Sequence, residues 1–289
     1  MSADSPRIAA SPGIAADSSA PALISQLGQV WDSLASLGAA LDDPDWGALT
    51  PCPGWRVSAQ YAHVIGTESM LLGRPNPEVD PGRPEHVHND IGGFNEVWVA
   101  ALASETRQSV LARLAEVTSA RKKALAAMSE QDFSAPSWTP VGQADYRRFM
   151  QVRTFDCWVH EQDIRDAVGR PGHEDGPVAE QSVDEIVRAI GYIVGKKAGA
   201  EPGSSLRITL TGPVRREVNA AVVDGRARVV ERLEGTPTAS LAMSSTAFTR
   251  LACGRIAPAT VLDGALGGVG MSGDAAFAQR VVDHLAFTI

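Results

Sequence analysis

Cysteine is scarce in this chain of 289 residues, and no two cysteines are closely spaced. The three that occur are Cys52, Cys157 and Cys253. An odd number without a Cys-x-x-Cys pair argues against a disulfide framework and against a cysteine-rich zinc ribbon. Such usage fits a reducing compartment. We therefore expect a cytoplasmic protein with free thiols.

An excess of positive charge and long apolar runs are also lacking. The lysines and arginines number 26 against 34 aspartates and glutamates, which gives a formal net charge of −8. This balance argues against nucleic acid or an anionic membrane as a partner. No apolar run approaches the roughly 20 residues that span a bilayer. Gly-x-Ser-x-Gly and His-Glu-x-x-His motifs are absent as well, which excludes two common hydrolase signatures. Small molecules are the expected partners.

The order of sequence patterns predicts an α+β multidomain protein. Residues 1–20 are rich in Ser, Ala and Pro and are expected to form a disordered or loosely packed tail. Residues 21–170 contain four long segments of helical periodicity, which predict a four-helix bundle. Residues 178–289 contain alternating apolar and polar segments and an Asp224-Gly225 turn signal. They predict a smaller α+β domain with an antiparallel sheet.

The fourth predicted helix carries the most informative pattern. Residues 144–168 contain neither proline nor glycine, which favours one continuous helix. Asp156 and His160 are four residues apart and share a helical face. The apolar residue Phe149 lies near the same line, which is therefore expected to face the core. Burying a carboxylate with an imidazole is costly unless something pairs them. This stripe is the first indication of a metal site.

A third candidate ligand, His63, lies on the second predicted helix, residues 57–72. Ser58 is its expected N-cap, and Gly66 is one of several small residues expected to leave space before the imidazole. With Asp156 and His160, His63 makes a set that suits zinc, nickel or iron(II) and leaves coordination positions open. The spacing does not show that the three meet. Two buried histidines with ordinary hydrogen-bond partners are the alternative.

Four further residues near these patterns are given lesser roles. Glu161 lies about 100° round the helix from His160 and is ranked below Asp156 as a ligand. Asp163 lies on the stripe, where it can be a fourth ligand, an acceptor for a histidine N–H or a salt-bridge partner. His86 and His88 follow a long loop and are expected to be exposed to solvent.

Three motifs together resemble the mycothiol-dependent maleylpyruvate isomerase family, whose members are actinobacterial relatives of the DinB-like metal-dependent bundles. The motifs are Thr50-Pro-Cys-Pro-Gly-Trp55, Ala62-His63 and Trp158-Val-His-Glu-Gln-Asp-Ile-Arg165. Leu251-Ala-Cys-Gly-Arg255 and Gly273-Asp274 resemble the sterol-carrier-like C-terminal domain of that family. The resemblance implies that His63, Asp156 and His160 hold the metal. Asp156 stands where relatives often have glutamate.

The resemblance also implies a function. The leading hypothesis is a divalent-metal enzyme, with zinc as the expected metal, that uses mycothiol as its thiol co-substrate. It would transfer sulfur to a small electrophilic molecule or isomerise it. Two alternatives stay open: a non-catalytic protein that binds a small molecule or lipid, and a metal-dependent hydrolase with water in the open coordination position.

Overall fold

The protein is α+β, and its described residues form two compact units. The structure, a computed structural model, describes residues 13–288. Residues 17–182 make one unit, here called the helical unit, and residues 13–16 with 183–288 make the other, the sheet unit. Of the predicted tail, residues 1–20, the first twelve lie outside the described residues.

The helical unit is built mainly from helices. Its elements are α1 (Ala20–Ala40), α2 (Asp43–Trp46), α3 (Val57–Leu71), α4 (Asp90–Leu102), α5 (Arg107–Ala126), α6 (Glu130–Phe133), β1 (Pro136–Thr139), β2 (Gly142–Asp145), α7 (Tyr146–Val168) and the first part of α8 (Gly176–Tyr192). Helix α1 packs against α5 and α7, and α3 packs against α4, α5 and α7. In α1, Leu23, Leu27, Val30 and Leu34 are fully buried, because their spacing of three and four places them on one face.

Local hydrogen bonds determine where α7 and α3, the helices that carry the candidate ligands, begin. Helix α7 starts two residues after the expected position, where the Asp145 side chain accepts a hydrogen bond from the Arg148 N–H. The prediction of Ser58 as the N-cap of α3 is wrong, because α3 begins at Val57 with Arg56 at the cap position. The Val57 N–H donates to the Ala48 carbonyl. This backbone contact starts the helix before Ser58.

The sheet unit contains a five-stranded mixed sheet. Its strands are β3 (Ser205–Thr211), β4 (Arg216–Val223), β5 (Arg226–Val230), β6 (Ala239–Ser244) and β7 (Gly270–Gly273), in the order β5-β4-β3-β6-β7. The predicted Asp224-Gly225 turn joins β4 to β5, and both turn residues have positive φ. The sheet is not purely antiparallel as predicted, because β6 pairs with β3 in parallel. Segment 231–238 carries the chain from β5 to the far side of β3.

The sheet unit also contains helices, and buried polar contacts hold residues 13–16, the first part of this unit. The helices are the end of α8, a π-helical turn (Ile193–Lys197), α9 (Ser245–Ala252), α10 (Pro258–Leu262) and α11 (Ala275–Asp283). The buried Asp184 carboxylate accepts hydrogen bonds from the backbone N–H groups of Ala15 and Ala16. Arg216 donates to the same carboxylate. Within residues 13–288, no helix has both the length and the apolar character that crossing a membrane requires.

Candidate metal centre

Three side chains from two helices converge in the helical unit. The ligand atoms of His63, Asp156 and His160 all lie within 4.8 Å of one another. His63 Nε2 is 2.9 Å from Asp156 Oδ2, and His160 Nε2 is 3.5 Å from Asp156 Oδ1. The two imidazole rings lie 4.6 Å apart between centroids. The structure therefore brings together residues that are 93 positions apart in the chain.

The packing of α3 against its neighbours positions His63. Helix α3 carries His63 and contacts α7, which carries Asp156 and His160. Gly66 does not leave open space before the imidazole, as the sequence led us to expect. A Cβ at Gly66 would lie 2.4 Å from Cγ of Trp98, so the indole fills that space. The small residue instead lets α4 approach α3 closely.

Each histidine lies at a suitable distance from Asp156 to share a divalent metal ion with it. Ligand atoms on tetrahedral zinc with bonds of about 2.0–2.1 Å are about 3.3 Å apart, and the Nε2 atoms of His63 and His160 lie 2.9 and 3.5 Å from Asp156 Oδ2 and Oδ1, respectively. The buried Nδ1 atoms of His63 and His160 have no hydrogen-bond partner among the described residues. Neither imidazole is thus fully satisfied by protein groups in that part of the chain.

The pKa values of the three groups are shifted in different directions from their usual values. Burial lowers the pKa of His63, even though Asp156 opposes the shift. Burial alone would raise the pKa of Asp156, but His63, Arg153 and His160 hold it well below its usual value. For His160, burial is outweighed by Asp156 and Asp163, so its pKa is raised. A neutral His63 and an ionised Asp156 are the forms that coordinate a metal.

A buried ion-pair network adjoins Asp156, and sequence reasoning missed it. Arg153 donates to the Asp156 carboxylate, to Glu68 Oε1 at 2.7 Å and to Cys157 Sγ at 3.1 Å. The other Glu68 oxygen accepts from Arg121 Nε at 2.8 Å. Two guanidinium groups and two carboxylates thus balance in charge. Arg153 lies three residues before Asp156 on the same helical face, a signal that could have indicated the pair.

Trp55 lines the centre and is fixed from behind. Its ring centroid lies 5.3 Å from that of His63 and 5.4 Å from that of His160. Its indole Nε1 donates to Glu96 Oε1 at 2.6 Å, and His86 Nε2 lies 2.8 Å from the same oxygen. His86 was expected to be exposed, but its side chain is only 25% exposed. The charge of Glu96 thus orders both the indole and the loop that carries His86.

Gly54 is required for this arrangement, and its substitution gives a first prediction. Its φ is +79°, and a Cβ there would lie 2.2 Å from Nδ1 of His86. We expect Gly54→Ala to destabilise the helical unit by about 1–3 kcal/mol, since the residue would be strained and would displace His86 from Glu96. Urea unfolding followed by tryptophan fluorescence measures this loss.

Two comparisons isolate the clash from the backbone strain. Gly73 also has positive φ, +72°, but nothing lies within 4 Å of a Cβ at that position. Gly73→Ala should therefore cost less than Gly54→Ala. Removing the clashing ring in a Gly54→Ala, His86→Ala double variant should cost less than the sum of the single variants. Additive losses would show that His86 is not the cause.

The two neighbouring carboxylates on α7 have different surroundings. Asp163 Oδ2 lies 3.5 Å from His160 Nδ1, on the opposite side of the ring from Asp156. Glu161 is fully buried elsewhere and accepts from Arg165 Nε at 2.8 Å and contacts His173 Nδ1 at 2.8 Å. Glu161 therefore ties α7 to the segment that follows it.

The position of Asp163 gives a second prediction. We expect Asp163→Asn to weaken divalent-metal binding by about tenfold, since carboxylates that orient a ligating histidine are worth 10–100-fold in affinity. A chelator competition measures the change. Asp166→Asn, an exposed carboxylate on the same helix, is the matched control and should leave affinity unaltered. Equal affinities for both variants would rule out an orienting role.

The fold and the site define a class: an α+β protein whose helical unit carries two histidines and a carboxylate on facing helices. Residues 27–165 match the family model of the mycothiol maleylpyruvate isomerase N-terminal domain, a range that contains all three residues. Residues 27–165 are therefore a domain of the type found at the N-terminus of mycothiol maleylpyruvate isomerase.

Two solved structures have a similar fold over most of their length. One is the mycothiol-dependent maleylpyruvate isomerase, with 15% sequence identity. The other is a variant of that enzyme with one histidine replaced by alanine, with 16% identity. Each comparison has a TM-score of 0.56 and covers 88% of this chain and 92% of the other. A search of curated proteins finds no significant match.

Proposed function

We propose that this protein is a divalent-metal enzyme, with zinc as its metal, that uses mycothiol as a thiol co-substrate. The reaction is isomerisation of a small electrophilic molecule through reversible thiol addition, or sulfur transfer to such a molecule. The observation that carries the proposal is the convergence of His63, Asp156 and His160 within 4.8 Å inside the domain that matches the isomerase family.

The three side chains would hold the metal through one carboxylate and two imidazoles. A metal bound in this way supplies a Lewis acid that lowers the pKa of a thiol in an open position, so that thiolate is available at neutral pH. Burial lowers the pKa of His63, which favours the neutral imidazole that a cation requires. A cation at Nε2 would replace the proton that Nε2 shares with Asp156, and the ring proton would then lie on Nδ1. Asp156 stays ionised because His63, Arg153 and His160 stabilise its charge against burial.

Residues around the ligands orient them and exclude water. Arg153 binds Asp156 Oδ2 and leaves Oδ1 on the side of His160. Glu68 fixes the Arg153 guanidinium through Oε1, so the Asp156 carboxylate cannot rotate without breaking its part-buried ion pair with Arg153. Trp55, only 6% exposed, covers one side of both imidazoles. Such support is what holds ligands in a productive geometry.

Two finer features of the fold belong to the same proposal. The packing of α1, α3, α5 and α7 on one another supports a DinB-like four-helix bundle over residues 21–170. A sterol-carrier-like domain over residues 178–289 rests on the resemblance of its motifs. We place the protein in the cytoplasm, since none of its three cysteines, all within residues 13–288, is in a disulfide and mycothiol would serve as a cytoplasmic thiol.

A thiol-dependence screen tests the proposal. Purified protein is incubated with a panel of small electrophiles, with and without mycothiol and with and without added zinc. We expect turnover that requires both the thiol and the metal. Turnover with metal but no thiol would support a hydrolase instead. A co-purifying lipid in native mass spectrometry, with no thiol-dependent turnover, would support a binding protein.

A further inference from the structure

The two ring nitrogens of His160 face different donors. Nε2 lies 3.5 Å from Asp156 Oδ1, whereas Nδ1 lies 3.5 Å from Asp163 Oδ2. His160 is 8% exposed, and within residues 13–288 its buried Nδ1 has no hydrogen-bond partner. The ring therefore has a second buried nitrogen, Nδ1, which faces the Asp163 carboxylate.

A thiol lies close to His160 and Asp163. The ligand atoms of Cys52, His160 and Asp163 all lie within 4.8 Å of one another. The loop that carries Cys52 is held by the backbone, since the Trp55 N–H donates to the Cys52 carbonyl at 3.1 Å. The Thr50 N–H donates in turn to the Trp55 carbonyl at 3.0 Å. Cys52 is half-buried, so a small cation can reach its sulfur.

We propose that Cys52, His160 and Asp163 form a second metal site, selective for thiophilic cations, that shares His160 with the His63 centre. Thiolate ligands select soft cations such as Cd²⁺ and Cu⁺, and imidazole and carboxylate complete the set. The site goes beyond the proposed function, because two of its three ligands lie outside the His63 centre.

Occupation of the two sites is mutually exclusive. A neutral imidazole has one lone pair, because one of its nitrogens carries a proton. When a soft cation binds, the Cys52 thiol releases its proton to solvent and His160 coordinates through Nδ1. The remaining imidazole proton then lies on Nε2, where Asp156 accepts it. His160 would thereby be withdrawn from the His63 centre, so a bound soft cation would weaken metal binding at that centre.

Titration of the full-length protein with Cd²⁺ tests the site, because a cadmium–thiolate bond has a charge-transfer band in the ultraviolet. We expect the band to saturate at one equivalent in the wild type. It should disappear in Cys52→Ser and persist at full amplitude in His63→Ala. That persistence separates this site from the proposed function, since His63→Ala removes only the first centre. Loss of the band in His63→Ala, or its survival in Cys52→Ser, overturns the proposal.

A second measurement needs no variant. Alkylation of Cys52 by iodoacetamide is followed by peptide mass spectrometry on the wild-type protein. One equivalent of Cd²⁺ is expected to slow alkylation of Cys52, whereas Mg²⁺, a hard cation with oxygen ligands, should not. The buried Cys157 and Cys253 serve as internal references. An unchanged alkylation rate at Cys52 in the presence of Cd²⁺ contradicts the assignment.

Discussion

The His160→Ala variant is expected to lose bound zinc and mycothiol-dependent turnover together. His160 lies between Asp156 and Asp163, 3.5 Å from each, so its removal leaves one imidazole and one carboxylate at the centre. Loss of a residue that merely orients a ligand costs 10–100-fold in metal affinity. Loss of the ligand itself should therefore cost more than about 100-fold. Metal analysis after dialysis, together with a turnover assay, measures both effects.

The matched control for this variant is His88→Ala. His88 is an exposed histidine in the same unit, and its removal should leave zinc content and turnover unchanged. Circular dichroism checks that both variants fold. The double variant His63→Ala, His160→Ala makes the decisive comparison, since it leaves only the carboxylate of the three. Stoichiometric zinc retained in this double variant would contradict the assignment of His63, Asp156 and His160 as the metal ligands.

Local sequence patterns predicted where helices and strands lie better than they predicted which strands pair with each other. The run without proline or glycine at 144–168 predicted α7 within two residues of its observed start, because helix-breaking residues and caps act locally. The parallel pairing of β3 with β6 was not predictable in the same way, since alternation marks a strand but does not identify its neighbour. Strand β7, Gly270-Met-Ser-Gly273, has two glycines and no apolar alternation, so it was missed.

The same division applies to the candidate centre. Asp156 and His160 could be paired from sequence, because a spacing of four places them on one helical face. His63 could be singled out by its residue type, but its approach to Asp156 depends on how α3 packs against α7. The Arg153–Glu68 pair joins residues 85 positions apart. No local pattern indicates it. Long-range pairs of buried charges appear only once helices are packed.

That buried pair is expected to dominate the stability of the helical unit. The Glu68 side chain is fully buried between Arg121 and Arg153, whose side chains are 2% and 3% exposed. Glu68→Gln conserves the shape of the side chain but leaves two buried guanidinium groups with less compensating charge. Removing one partner of a buried ion pair typically costs about 3–5 kcal/mol. We expect a loss of that size in the free energy of unfolding.

Tryptophan fluorescence during urea unfolding measures this loss selectively, because all 6 tryptophans lie within residues 17–182. The control is Glu116→Gln, which breaks the exposed ion pair between Glu116 and Arg74 and should not change stability measurably, since exposed pairs are screened by solvent.

The effect of Glu68→Gln should also reach the candidate centre. Arg153 then keeps Asp156 as its remaining carboxylate partner among those described, binds it more strongly and weakens its hold on a metal. Unaltered stability together with unaltered metal affinity would show that the network is coupled neither to the fold nor to the centre.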